Sequence, residues 1–216
     1  MILSNDTFAY AILKTDRYFN RLNTSQIEFL IEKSTKLGFD VAHEFFGKLL
    51  IEELEEQNVK IVFREETHPA GIFSQIQLDR KKSEIQIFLG SMERKRQAYI
   101  NIVREPISLD QMIQIHLMHE FYHFIELSKE RRTEELVGKV AVMGFGGMKQ
   151  RLITSTSEIA AHAFAFKYGN LSHHPLLMDY ALLFEQQNKP VEQVEEYINQ
   201  IQCEYERRIL YGTNIL

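Results

Sequence analysis

Residues 119–123 read His119-Glu120-Phe121-Tyr122-His123, two imidazoles four positions apart with a carboxylate next to the first. On a helix of 3.6 residues per turn, such positions lie about 40° apart, so both imidazoles reach one ion while Glu120 borders the same patch. Imidazole suits zinc, and a carboxylate beside a metal-polarised water is placed to take its proton. The spacing therefore predicts metal-assisted hydrolysis, with His119 and His123 as ligands and Glu120 as general base.

Catalytic zinc takes a third protein ligand and keeps one position open. Glu158 is the candidate, in the stretch Ser157-Glu158-Ile159-Ala160-Ala161-His162-Ala163-Phe164-Ala165, whose small alanines would let a second helix approach the motif helix closely. Ser155 and Glu158 also have capping-box spacing, so this carboxylate could instead close its own helix terminus. His162, one turn beyond Glu158, could stabilise a developing oxyanion or orient a ligand, and Tyr168, His173, His174 and Tyr180 share the first of those roles. His116, one turn before His119, is either a supporting group or a histidine satisfied within the core.

The elements that must hold these groups follow from periodicity and punctuation. Helices are expected over residues 6–22, 26–37 and 41–57, the second opened by a Ser25/Glu28 capping box and stopped at Gly38, the third capped by Asp40. Three short segments rich in Val, Ile and Phe, Val59–Phe63, Ile72–Leu78 and Ile85–Leu89, read as strands. The turns between them are His68-Pro69-Ala70-Gly71 and Asp79-Arg80-Lys81-Lys82-Ser83. A helix over Ser91–Arg104 ends before Pro106, and Ser108 with Gln111 opens the motif helix, Leu109–Glu130, as a second capping box. Leu117, Met118, Phe121, Phe124 and Ile125 form its back, while Met112, His116, His119, Glu120, His123 and Leu127 share its front. Thr133–Met143 reads as a short helix, and Gly144-Phe145-Gly146-Gly147 as a loop, either gating the site or simply connecting helices. The Glu158 helix ends at Gly169-Asn170. Two C-terminal helices, Pro175–Glu185 and Pro190–Tyr211, follow, the last with Val191, Val194, Ile198, Ile201 and Tyr205 along one face for core packing or a dimer contact. The fold class is α+β, mostly helical, with a small three-stranded sheet packed on the motif helix.

Composition bounds the rest. A chain of 216 residues, 44% of them hydrophobic, is long enough to bury a full core, and residues 1–216 read as one domain with helical additions at both ends. One cysteine, Cys203, excludes an internal disulfide framework and suits a reducing compartment. Asp6, Lys14, Asp16 and Arg17 interrupt any apolar run near the start, so neither a secretion signal nor a membrane span is expected, and the default is a cytoplasmic protein without a membrane partner. A net charge of −5 disfavours a nucleic-acid partner. The basic runs Arg80-Lys81-Lys82 and Arg94-Lys95-Arg96 are short enough for solvated turns or helix faces.

His119-Glu120-x-x-His123 followed by Glu158-x-x-Ala161-x-x-Phe164-Ala165 resembles the gluzincin class of zinc metallopeptidases, and within it is most similar to the ImmA/IrrE group, intracellular peptidases that cleave transcriptional repressors. The resemblance covers about Leu109 to Tyr168. It implies a zincin-like fold, Zn2+ held by His119, His123 and Glu158, Glu120 as base, and a polypeptide substrate, with a repressor as the analogous target. It also implies that the strand Ile85–Leu89 is an edge that binds peptide by strand addition. The chain departs from the group's pattern at His162, where Asn or Asp is usual, at Tyr122, where Gly is usual, and in a longer linker from Phe124 to Ser157. It also lacks a helix-turn-helix segment. Two other readings compete: a zincin-fold interaction or regulatory protein without catalysis, and a diiron protein using Glu120-x-x-His123, which would need a second such motif and a four-helix bundle.

Overall fold

A computed structural model describes residues 4–79, 83–130 and 132–212, without the side chains of residues 191 and 211; the basic run at 80–82 lies outside the described residues. The elements run α1 (Asn5–Leu13), α2 (Thr24–Glu44), α3 (Leu50–Glu56), β1 (Val59–Arg64), β2 (Ser74–Gln77), β3 (Ser83–Phe88), α4 (Leu89–Val103), α5 (Leu109–Ser128), α6 (Thr133–Val137), β4 (Val140–Gly144), β5 (Gly147–Arg151), α7 (Ser155–Tyr168), α8 (Leu176–Gln186) and α9 (Val191–Tyr211). The class is α+β, with a three-stranded sheet and helices on most of the chain. No helix among the described residues is long and apolar enough to cross a membrane.

Strand order is β1-β3-β2, with β3 parallel to β1 and antiparallel to β2. The strand at 85–89 is therefore not an edge. Both its sides carry ladders, and Ile85, Gln86, Ile87 and Phe88 are all buried, as in a strand covered on both faces. The edge that meets the motif helix is β2, which pairs only through Ser74–Gln77 and packs on α5.

α5 begins with the expected capping box: Ser108 Oγ accepts from Gln111 N at 3.1 Å, and Gln111 Oε1 accepts from Ser108 N at 2.9 Å. Its back, Leu117, Met118, Phe121, Phe124 and Ile125, lies in a core shared with β3, Phe45 and the inner face of α7. A second core joins α1, the start of α2, the β4–β5 hairpin and Ile201 of α9. On α9, Val194, Ile198 and Ile201 are buried within the chain, so that stripe is core rather than a free face.

Several boundaries differ from the sequence expectation, each for a local reason. α1 stops at Leu13 because Thr15 and Asp16 turn the backbone, with Asp16 Oδ1 accepting from Tyr18 N at 2.8 Å. α2 starts two residues earlier than expected, capped by Asn23 with Gln26, and it runs through Gly38. Gly38 does not end the helix but lets it lie against α7: a β-carbon there would stand 2.3 Å from the Ala160 carbonyl oxygen. The stretch Val140–Arg151 is an antiparallel hairpin instead of a helix and a loop, with Gly144 opposite Gly147 and positive φ at Gly146 and Gly147. The reading of the glycine run as a mobile gate is thereby replaced by a two-residue hairpin turn.

Candidate metal centre

α5 and α7 bring three groups to one point. His119 and His123 Nε2 lie 3.1 Å apart, Glu158 Oε2 is 3.4 Å from His119 Nε2, and Glu158 Oε1 is 3.3 Å from His123 Nε2. Their approach depends on α7, where Ala160, Ala161 and Ala165 are fully buried and add little bulk against α5. A tetrahedral ion with ligands at roughly 2.1 Å spaces its donor atoms about 3.4 Å apart; the two imidazoles stand at such a spacing, and the Glu158 carboxylate meets them with one oxygen each. Glu158 makes no capping bond; α7 has no side-chain cap at its N-terminus, and the carboxylate is turned toward the two imidazoles.

One of the ligand candidates, His123, is oriented from behind. His123 Nδ1 faces Glu126 Oε2 at 3.0 Å, and Glu126 is itself fixed by the Thr133 N–H at 2.7 Å and the Ser157 hydroxyl at 2.6 Å. A carboxylate on the far imidazole nitrogen sets the tautomer that leaves Nε2 free for a metal. Burial alone would lower the His123 pKa, but hydrogen bonds to Glu126 and Glu158 push it up to about 10. Burial likewise opposes ionisation of Glu158, and His119 and His123 together outweigh it, holding its carboxyl far below the usual range. These opposed shifts describe a compact cluster that a cation can replace the protons of. Glu126 is not among the residues the sequence analysis singles out. Its signal was its position at i+3 from His123, inside a turn where an exposed acid would be ordinary.

Glu120 faces a cleft of about 490 Å³ between α1, β2, α5 and the start of α8, which His119, Glu158 and His162 also line. Its Oε1 accepts from the Ser74 hydroxyl at 2.7 Å. The same hydroxyl lies 3.3 Å from His116 Nδ1, and His116 Nε2 lies 3.2 Å from Lys95 Nζ. An ammonium only donates, so His116 Nε2 accepts, the ring proton sits on Nδ1 and points to Ser74, and Ser74 donates to Glu120. Burial first, then Lys95 and the neighbouring histidines, push the His116 pKa well down, consistent with the neutral ring this chain of bonds needs. Lys95 is buried, paired with Asp179 at 2.5 Å and stacked over Phe73 at 4.3 Å. Both ring nitrogens of His116 thus have partners, as a satisfied histidine requires, and one of them leads through Ser74 to Glu120. Ser74, Lys95 and Asp179 were not among the sequence candidates, since nothing in local spacing links residues 21 to 105 positions apart.

Of the five oxyanion candidates, His162 and Tyr180 line this cleft. Tyr168 donates to the Lys48 carbonyl, and His173 contacts Tyr99; both border a separate cleft of about 620 Å³. His174 is buried, stacked on Phe8 at 4.4 Å. His162 Nδ1 is buried without a hydrogen-bond partner, and burial, followed by its histidine neighbours, pushes its pKa well down. Single ligand atoms of His119, Glu158 and His162 also fall within 4.8 Å of one another. His119 and Glu158 are thus common to two possible ligand sets, completed either by His123 or by His162.

Compared with known proteins, the chain matches no family model, no curated protein and no solved structure. The site therefore rests on its own geometry and on the motif.

Proposed function

We propose that this protein is a zinc-dependent endopeptidase of zincin-like fold, in which His119, His123 and Glu158 hold Zn2+ and Glu120 is the general base. The observation that carries the reading is the pair of imidazole Nε2 atoms 3.1 Å apart, each met by one oxygen of the Glu158 carboxylate at 3.4 and 3.3 Å, with Glu120 next to His119 in the chain and on the cleft wall. Zinc bound there would polarise a peptide carbonyl and acidify a water. Glu120, oriented by Ser74, takes the water's proton and delivers it to the leaving amine. Tyr180, whose pKa burial pushes up, remains a donor in the cleft wall and is one candidate to stabilise the oxyanion. His162, neutral and next to His119, borders the same space.

A polypeptide is the favoured substrate because β2 is an edge strand whose approach, Ile72, Phe73 and Ser74, lines the cleft. An extended chain added to that edge would run past Glu120. The resemblance to the ImmA/IrrE group extends this to a regulatory target, a transcriptional repressor. The mixed sheet is not what a diiron four-helix bundle requires.

The test is metal content by elemental mass spectrometry of chelator-free protein, followed by proteolysis of fluorescent casein by the wild type and Glu120→Gln. About one zinc per chain, with hydrolysis lost in Glu120→Gln and metal retained, supports the proposal. Zinc binding without hydrolysis in any form would favour the non-catalytic interaction protein, and unchanged hydrolysis in Glu120→Gln would remove the mechanism.

A further inference from the structure

The β4–β5 hairpin presents an apolar tip that the core does not use. Phe145 is fully exposed, and Met143 and Met148, directly opposite each other across the ladder, are 62% and 61% exposed. The other face of the hairpin, Val140 and Val142, is buried, so the tip's exposure is a consequence of register rather than of poor packing. At its base stand three guanidiniums around one ring: Arg17, Arg21 and Arg151 lie 4.7, 5.9 and 5.7 Å from the centroid of Tyr18. Arg21 also donates to the Met143 carbonyl at 3.4 Å, which ties the cluster to the hairpin.

Among the described residues, no carboxylate forms an ion pair with any of the three arginines or with Lys149 on the hairpin itself. Asp16, next to Arg17 in the chain, instead accepts from the backbone N–H groups of Tyr18 and Ser155. In a chain of net charge −5, three clustered arginines without an ion-paired carboxylate, with Lys149 on the same hairpin, behind three exposed apolar side chains are a local inversion of the overall balance. Like charges are held together there without counter-charges, which favours an anionic partner.

We propose that this hairpin is a docking element for an anionic bilayer surface, with Phe145, Met143 and Met148 entering the acyl boundary and the arginine cluster and Lys149 meeting acidic headgroups. Apolar side chains backed by a basic collar are the arrangement that binds such an interface. The tip is convex, and neither cleft described above is lined by any residue of the cluster. A fluid bilayer conforms to a protrusion, whereas an extended acidic peptide needs a groove to hold it, so the shape favours the bilayer. The inference concerns surface binding, not a membrane span, and it is independent of the metal centre.

The experiment is co-sedimentation of the full chain with vesicles of phosphatidylcholine alone or mixed with phosphatidylserine, at low and physiological salt. Expected is binding that needs phosphatidylserine, weakens with salt, and falls at least ~10-fold in Phe145→Ser and in Arg21→Gln/Arg151→Gln, with the melting transition retained in Phe145→Ser. No preference for phosphatidylserine, or equal binding by Phe145→Ser, overturns the proposal. Arginine-dependent binding to poly-glutamate without binding to vesicles overturns it in favour of an acidic protein partner.

Discussion

The Ser74 hydroxyl lies 2.7 Å from Oε1 of Glu120 and donates to it, which joins the edge strand of the sheet to the motif helix. In the proposed mechanism this bond would fix the direction of the base before substrate adds to the strand. Ser74→Ala should therefore leave zinc content unchanged and lower kcat about 10-fold with little change in KM, while Glu120→Gln should cost about 10²–10⁴-fold. Casein hydrolysis with parallel metal analysis checks both. A Ser74→Ala enzyme with unaltered kcat would show that the hydrogen bond positions nothing of consequence.

Metal affinity would separate the proposed ligands from the groups behind them. Glu158→Gln should lose most affinity, and Glu126→Gln should lose roughly 10–100-fold, because Glu126 only orients His123. Exposed Glu130, two turns past His123, should be silent on substitution. Competition with a chromogenic chelator gives all three values. If His162→Ala abolished binding and His123→Ala did not, the ion would belong to the group of His119, Glu158 and His162.

How much of this was legible in the sequence depends on how far apart in the chain the cooperating residues stand. Helix α5, its Ser108/Gln111 cap and the juxtaposition of His119, Glu120 and His123 follow from spacing within one element. Glu158 was found because small alanines on α7 announced a close helix contact. Ser74, Lys95 and Asp179 were not, since their meeting at His116 and Glu120 is a product of tertiary packing between α4, β2, α5 and α8. Residues 140–151 misled for another reason: Val140 and Val142 alternate with Ala141 and Met143 at the period of a strand, but the run is too short to outvote a helical reading. Gly38 misled because a helical glycine looks like a stop, and only the partner helix reveals that it is a contact.

That contact carries a prediction of its own. A β-carbon at position 38 would meet the Ala160 carbonyl oxygen at 2.3 Å and the Ala163 β-carbon at 2.9 Å, so α2 and α7 would have to separate. Gly38→Ala normally gains helix propensity, by ~1 kcal/mol. Here the overpacking should dominate, with a net loss of about 1–3 kcal/mol in urea unfolding. Because α7 also carries Glu158, zinc affinity should fall with it. A stabilised Gly38→Ala protein would mean that the two helices are free to adjust.

Acid should destabilise the metal-free protein through its buried histidines, and His174 isolates the effect. Burial pushes its pKa from 6.5 down to about 3, while His116 and His162 move in the same direction. In the folded state His174 stays neutral between those two values, whereas in the unfolded chain it takes up a proton below about 6.5, so the unfolded state binds more protons and stability must fall as pH drops through this window. Each such group contributes a slope of up to ~1.4 kcal/mol per pH unit. His174→Phe keeps an aromatic ring against Phe8 but loses the bond from the Leu176 N–H, so it should cost ~1 kcal/mol near neutral pH. Below about pH 6 the variant should overtake the wild type, because it no longer excludes a proton. Urea midpoints between pH 4 and 7 test this by the crossing of the two curves, which the loss of one hydrogen bond alone would not produce; parallel curves would mean that His174 is protonated in the fold.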